Sequence, residues 1–197
     1  MGPKQDKRAP YNIIGITGTP GVGKKTIAPL VARALDLACI SLNELANDSR
    51  VRKRVSGEAE VDTTALRRKI EVLTEEAVIY GHLLPYVIPG RMTSIVAVLR
   101  CDPAVLKNRL VARGYPKRKI IGNVEAELIG LISAESFSTF GNEKTFEVDT
   151  TSATPLEVAD DVVSAVRDGT YRTERLDWTA NYDSGEKLRS LLSFGSW

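Results

Sequence analysis

The sequence predicts a three-layer α/β domain, in which a parallel sheet carries helices on both of its faces. Short apolar runs rich in β-branched residues alternate with stretches of helical periodicity along most of the 197 residues. A glycine-rich turn joins the first apolar run to the first helix. Because strands that alternate with helices return to the same end of the sheet, they are expected to pair in parallel.

The elements follow in order along the chain. Strands are predicted at Tyr11–Thr17, Ala38–Ile40, Ala77–Tyr80, Ser94–Arg100 and Thr145–Val148. Helices are predicted at Lys24–Leu37, from Ser41, from Asp62 or Thr63 to about Leu73, from Asp102 to Arg113, from Asn123 to about Phe137, and from Thr154 to about Arg167. The charged segment 50–60 is predicted to be turn-rich, and Gly114–Lys119 is predicted as a basic loop.

Composition favours one domain over residues 11–168, with a flexible leader at 1–10 and a polar tail at 169–197. The net charge of +2 excludes a global polycation, so any nucleic-acid contact would be local. Cys39 and Cys101 lie in apolar runs and are predicted as buried, reduced thiols, as expected of a cytoplasmic protein. Because no apolar run approaches the ~20 residues of a membrane span, we expect no membrane partner.

The strongest functional signal is the sequence GTPGVGKKT at Gly18–Thr26, between a predicted buried strand and a predicted helix. Glycines permit backbone conformations that point successive N–H groups inward, and the helix adds the positive end of its dipole. This pattern is the phosphate-binding P-loop, which predicts a bound purine nucleoside triphosphate, ATP. We expect its phosphates to contact Gly18, Gly21, Val22, Gly23, Lys24, Lys25 and Thr26, with Lys24 also catalytic.

One position departs from this pattern. The residue after the loop lysine is usually Ser or Thr, whose hydroxyl binds the Mg²⁺ that accompanies ATP, but here it is Lys25. An ammonium has no lone pair and repels a dication. Lys25 is therefore expected either to contact a phosphate or to turn towards solvent, and the Thr26 hydroxyl lies one residue further on.

With these motifs the chain resembles the adenylate kinase isoenzyme 6 family, over about Ile13–Arg167. The resemblance rests on the P-loop, on a segment ending Gly81-His82, on SIVAVLRCDP from Ser94 and on VLKNRLVARGYPKRKIIGNVEAEL from Val105. It implies a P-loop fold like that of nucleoside monophosphate (NMP) kinases, adenylate kinase and ATPase activity, and a link to maturation of the small ribosomal subunit.

The resemblance also implies site residues. It places an NMP-binding segment at about 41–64 and a short lid at about 112–122. Arg113 matches the lid arginine that lies across the donor phosphates, a task that suits a permanently charged guanidinium. His82 either contacts phosphate or water as a catalytic residue, or is structural. The family carries an acid two residues before this histidine, where this chain has Tyr80, and a phenol is a poor magnesium ligand.

Three functions remain open from the sequence. The first is a kinase that transfers a phosphoryl group from ATP to AMP or another NMP, with Mg²⁺ as cofactor. The second is an ATPase switch in ribosome assembly, whose partner would be a small-subunit ribosomal protein or rRNA bound by basic clusters at 50–54, 67–69 and 117–119. The third is a degenerate nucleotide binder with little turnover, which the departures at Lys25 and Tyr80 favour. No protein metal ligand is assigned.

Overall fold

The structure, a computed structural model of the chain, describes residues 13–47, 61–73, 75–171 and 174–194, together with the backbone of 52–55 and 58–60. The predicted leader at 1–10 lies outside these residues, as do the first two residues of the predicted first strand. Within the described ranges, no helix combines the length and the apolar character needed to cross a bilayer.

Among the described residues, five parallel strands form the central sheet. In chain order the strands are β1 (Ile13–Thr17), β2 (Ala38–Ser41), β3 (Arg52–Val55), β4 (Glu58–Val61), β5 (Ala77–Tyr80), β6 (Thr93–Arg100) and β7 (Thr145–Asp149). The sheet has the order β2-β5-β1-β6-β7, while β3 and β4 pair separately as an antiparallel hairpin. β1 is therefore the central strand, with β5 and β2 on one side of it and β6 and β7 on the other.

Helices cover both faces of the sheet, which confirms the predicted fold class. They are α1 (Lys24–Leu35), α2 (Leu42–Leu45), α3 (Thr63–Glu71), α4 (Leu84–Val87), α5 (Pro103–Ala112), α6 (Lys117–Leu128), α7 (Leu131–Phe140), α8 (Pro155–Asp168) and α9 (Gly185–Leu192). On one face α1 packs beside α8, and on the other α4 packs against α3 and α7. Apolar side chains form a core layer on each face of the sheet: the first lies under α1 and α8, and the second under α3, α4 and α7. Side chains alternate across each strand, so Ala97 and Leu99 of β6 point into the first core layer, and Val96 and Val98 point into the second.

The region after α5 differs from the prediction. The predicted basic loop at Gly114–Lys119 is shorter, because Pro116 caps α6 and the three basic residues form its exposed first turn. The single helix predicted from Asn123 to Phe137 is two helices, α6 and α7. The break falls at Gly130, whose φ of 65° is a left-handed conformation that ends a helix at little cost for glycine.

Two further predictions were wrong. The segment predicted as turn-rich, 50–60, contains most of the β3–β4 hairpin. Cys39 was predicted to be buried but is exposed, because its strand β2 forms an edge of the sheet, whereas Cys101 is buried as expected. Burial raises the pKa of the Cys101 thiol to about 11, so this side chain is an unreactive part of the core.

The described part of the C-terminal segment, 174–194, packs against the sheet domain. Trp178 is buried, and Leu191 of α9 enters the first core layer. Lys107 of α5 donates to the Ser193 carbonyl at 2.5 Å and lies over the Phe194 ring. Just before this segment, Tyr171 stacks on Phe146 with ring centroids 4.8 Å apart. These contacts anchor the polar end of the chain to the domain.

A buried ion network joins this segment to the sheet. Arg100, at the end of β6 and only 3% exposed, pairs with Glu127 of α6 at 2.8 Å and with Glu147 of β7 at 2.5 Å. Its guanidinium also donates to the carbonyl oxygens of Glu127 and Leu176. Glu147 accepts further hydrogen bonds from the Ser133 hydroxyl and the Leu176 amide. The network around this one cation therefore connects β6, β7, α6, α7 and the C-terminal segment.

This network predicts a large stability effect. We expect Arg100→Met to lower the free energy of unfolding by about 3–5 kcal/mol, because it leaves two buried carboxylates without their cation. The matched control is Arg91→Met, since the side chains of Arg91 and its partner Glu71 are 70% and 35% exposed. That pair should contribute less than about 1 kcal/mol. Denaturant unfolding of both variants provides the measurement, and similar losses would contradict the assignment.

Candidate functional site: the phosphate loop and its two clefts

The P-loop follows β1 at the carboxyl edge of the sheet, between the ends of β5 and β6. Two of its glycines show why this sequence is required. Gly18 has φ 131°, and a Cβ there would lie 2.2 Å from the Leu99 carbonyl oxygen. Gly23 has φ 115° and caps α1, so the amides of the first helical turn open towards the loop. The loop can therefore approach β6 closely and still direct its N–H groups at a ligand.

The position of the Lys24 ammonium is fixed by hydrogen bonds to the backbone of the P-loop. It donates to the carbonyl oxygens of Gly18 at 2.6 Å and Thr19 at 2.8 Å. Burial lowers the pKa of Lys24 from its usual value to about 7; the Glu127 carboxylate opposes this shift, and the Arg113 guanidinium adds to it. A bound polyanion would favour the charged form. Phosphate binding at this lysine should therefore be sensitive to pH near neutrality.

The loop opens into a cleft of about 450 Å³, called here the donor cleft. It is lined by Pro20, Gly21, Gly23, Lys24, Lys25, Thr26, Ser41, Asn43, Glu44, Asn47, Tyr80, Gly81, His82, Arg113 and Tyr115. Most of the predicted site residues are thus brought together. Gly18 and Val22 do not line the cleft: both are buried beneath the loop, and the Val22 side chain belongs to the core.

A second cleft of about 490 Å³, called here the acceptor cleft, adjoins the first. It shares Pro20, Asn43, His82 and Tyr115 with the donor cleft and continues along α6 past Lys119, Gly122 and Asn123. The two spaces therefore meet beside the P-loop and His82. Burial and the charge of Lys24 lower the pKa of His82, so its imidazole is neutral at neutral pH.

Tyr80 lies at the end of β5, opposite Ile16 of β1 and Ser41 of β2, and lines the donor cleft. The position at which the resemblance expects an acid is therefore beside the loop. In the described part of the chain, no group of three or more His, Cys, Asp or Glu residues could hold a metal ion. Among the described residues that line the donor cleft, Glu44 supplies the carboxylate. The Tyr80 hydroxyl and the Glu44 carboxylate do not amount to a complete set of protein ligands for Mg²⁺. A Mg²⁺ ion bound mainly by nucleotide phosphates and water does not require such a set.

The fold brings several further residues into this region. Glu44 lies in the first turn of α2, and only the fold brings its side chain to the donor cleft. Asn43 and Tyr115 line both clefts; they fall within the predicted NMP-binding segment and the predicted lid, but neither was predicted as a site residue. The buried hydroxyl of Thr19 donates to Glu127 across 108 residues of sequence, a contact that only the tertiary fold creates. Strong local motifs thus reveal the loop but not its supports.

Comparison with known proteins agrees with this geometry. A family model described as "AAA domain" matches residues 14–130. The protein named "Putative adenylate kinase" of Thermococcus onnurineus (strain NA1) is 38% identical over 174 residues, covering 87% of this chain and 93% of the relative. The protein of the same name in Pyrococcus abyssi (strain GE5 / Orsay) has the same identity and coverage.

Among solved structures, a gluconokinase from Sinorhizobium meliloti 1021 superimposes with a TM-score of 0.56 at 19% identity, covering 81% of this chain and 93% of that one. This likeness shows the shared fold. The sequence identity to the two archaeal relatives decides the family, and the parallel sheet and the P-loop cleft agree with it. The chain belongs to the adenylate kinase-like family of P-loop nucleoside monophosphate kinases.

Proposed function

We propose that the protein is an ATP-dependent NMP kinase that transfers the γ-phosphoryl group of ATP to AMP or to another NMP. The observation that carries this proposal is the pair of adjoining clefts that meet beside the P-loop. A kinase must hold a donor and an acceptor nucleotide at the same time, with the reacting groups next to each other. An enzyme that only hydrolyses ATP needs one such space.

In the proposed reaction, a phosphate oxygen of the acceptor attacks the γ-phosphorus, and the bond to the oxygen that bridges the β- and γ-phosphates breaks to release ADP. Catalysis of this step consists mainly of positioning and charge stabilisation. The loop amides and the amino terminus of α1 would hold the donor phosphates, and Lys24 would reach the β- and γ-phosphates. Arg113 would cross from the lid side and stabilise charge that develops on the transferred group.

Mg²⁺ bound with ATP would neutralise phosphate charge and orient the β- and γ-oxygens. In this chain Lys25 and Tyr80 occupy positions where a hydroxyl and an acid are expected, and both line the donor cleft. The Lys25 ammonium would neutralise charge on the phosphates without binding the cation. Glu44 is the carboxylate within this cleft that is suited to a water-mediated contact with Mg²⁺.

A second candidate function is an ATP-binding switch with slow hydrolysis or little turnover, which the same two positions favour. Weak retention of Mg²⁺ would slow phosphoryl transfer more than it weakens binding of the nucleotide. A small-subunit ribosomal protein or rRNA is the proposed partner, and the exposed Lys117–Lys119 turn beside the acceptor cleft offers positive charge for such a contact. This candidate predicts that turnover responds to the partner rather than to AMP.

The two candidates differ in a direct assay. We expect ADP to form from ATP and Mg²⁺ at a rate that rises at least about tenfold when AMP is added, since the acceptor completes the reaction. ADP would be measured by chromatography with AMP, with the ribosomal partners, and with neither. Turnover that does not depend on AMP but rises with a partner would favour the second candidate as an ATPase switch, and tight ATP binding without turnover would favour it as a nucleotide binder with little turnover.

Arg113→Ala should lower turnover about 100-fold while weakening ATP binding less than about tenfold, because the guanidinium acts mainly on charge that develops during transfer. Steady-state kinetics and calorimetric titration with ATP measure the two effects. Arg118→Ala is the matched control, since Arg118 is another exposed arginine of the predicted lid but does not line either cleft. Equal losses of turnover and of binding would contradict a role confined to the transition state.

The departures at Lys25 and Tyr80 predict a gain of function. We expect Lys25→Thr combined with Tyr80→Asp to lower the Mg²⁺ concentration for half-maximal turnover about tenfold and to raise the turnover rate. Lys25→Val combined with Tyr80→Asn controls for shape, since it supplies neither the hydroxyl nor the charge. Half-maximal turnover of the unaltered protein at sub-millimolar Mg²⁺ would show that the cation is already well held.

A further inference from the structure

The P-loop is tied to a carboxylate that lies outside both clefts. Glu127 of α6 is only 1% exposed, and its Oε2 accepts a hydrogen bond from the Thr19 hydroxyl at 2.5 Å. The carbonyl oxygen of the same Thr19 accepts from the Lys24 ammonium at 2.8 Å. Thr19 therefore stands between the two groups, with its side chain bound to the acid and its backbone bound to the loop lysine.

Glu127 is itself held from several directions. Its Oε1 accepts from Arg100 Nε at 2.8 Å, from the Cys101 amide at 3.0 Å and from the Trp178 indole N–H at 3.3 Å. These donors come from the end of β6 and from the C-terminal segment. The carboxylate thus has a fixed position, and the hydrogen bond to Thr19 transmits that position to the start of the loop.

We propose that Glu127 is a positioning residue for the phosphate site: it fixes Thr19, and through the Thr19 carbonyl it sets where the Lys24 ammonium rests. The inference rests on the proposed binding of ATP by the P-loop. Glu127 contacts no substrate in this scheme, since it lines neither cleft. It acts by holding the loop in the shape that binds phosphate and by placing a negative charge behind the loop lysine.

The electrostatics of Lys24 support this role. Burial lowers the pKa of Lys24, Glu127 raises it and Arg113 lowers it, and the net result is a pKa of about 7. The other charged or titratable side chains that line the donor cleft with Lys24 are Lys25, Glu44, Tyr80, His82 and Tyr115. The ammonium is charged below this pKa, so ATP binding should weaken as the pH rises above about 7. Loss of the Glu127 charge lowers the pKa further, so the weakening should begin at lower pH.

The test is calorimetric titration with ATP between pH 6 and pH 9. We expect Glu127→Gln to shift the onset of weakening down by about one pH unit, so that its affinity falls about tenfold relative to the unaltered protein at pH 8 but only about twofold at pH 6. Glu125→Gln is the matched control, because it makes the same change at an exposed position of the same helix. The protonation state of ATP also changes over this pH range, but it does so equally for every variant. It therefore cancels when the affinities of two variants are compared at the same pH.

A second pair of variants tests the hydrogen bond itself. Thr19→Val keeps the shape of the side chain but removes the donor to Glu127, whereas Thr19→Ser retains it. We expect Thr19→Val to weaken ATP binding about tenfold and Thr19→Ser to stay within about threefold of the unaltered protein. Lys24→Met, which removes the ammonium, sets the largest loss to be expected. Thermal unfolding of each variant shows whether the fold is retained.

The outcomes separate the two proposals. If the unaltered protein binds no ATP, the proposed function fails, and this inference fails with it. If it binds ATP but Glu127→Gln follows the pH profile of Glu125→Gln, the positioning role is overturned while the proposed function stands. Should Glu127→Gln fail to fold, the Thr19 pair decides, because equal affinities of the Val and Ser variants would overturn the role.

Discussion

The position of the Arg100 guanidinium is the constraint on which much of this structure depends. Burial of a cation is costly unless its hydrogen bonds are satisfied, and here two carboxylates and two carbonyl oxygens satisfy them. The partners belong to α6, β7 and the C-terminal segment, so each must be in place for the charge to be accommodated. The same network fixes Glu127, which connects the core to the P-loop. The stability of the fold and the shape of the site therefore share one set of buried charges.

The parallel sheet determines which residues can meet at that site. Because all five strands end at one edge, the loops that follow β1, β2 and β5 open into the same space. Lys24, His82 and Arg113 are far apart in sequence, yet they line one cleft for this reason. Arg113 ends α5 rather than following a strand, and its place depends on how α5 and α6 pack together. The lid side of the site is therefore set by helix packing, and the loop side by the sheet.

The features that could be predicted from the sequence are those encoded locally. The strand–glycine loop–helix unit at β1 and α1 was clear because one short stretch contains its periodicity and its glycines. The predicted start of the last helix at Thr154 was likewise correct, and in the structure Thr154 and Glu157 form a capping box there. The break at Gly130 had a local signal too, but helical periodicity on both sides obscured it. The exposure of Cys39 could not be predicted, because its apolar neighbours do not reveal that β2 lies at an edge.

The buried residues that hold the P-loop in place could not be predicted from the sequence, for a different reason. Thr19 and Glu127 are ordinary residue types, 108 positions apart, and neither position carries a pattern that indicates a partner. Arg100 closes a predicted apolar strand, where a charged residue is usually expected at the surface. Only the packing of α6 and the C-terminal segment over the end of β6 turns these residues into a network. The residues predicted to bind phosphate were local in the motif, whereas the residues that hold them are products of the tertiary structure.

The buried Glu127 also affects the charge of the proposed phosphate site. The donor cleft brings Lys24, Lys25 and Arg113 together, with Glu44 as the carboxylate among the described residues lining it. Such a site repels a free dication but favours a polyanion, so Mg²⁺ would enter most readily when already bound to a triphosphate. Burial is the main cause of the lowered pKa of Lys24 and the Arg113 guanidinium adds to it, while Glu127 limits that lowering from behind the loop. The buried acid therefore offsets part of the effect of burial and of Arg113, so that a larger fraction of the central lysine keeps its proton at neutral pH than without it.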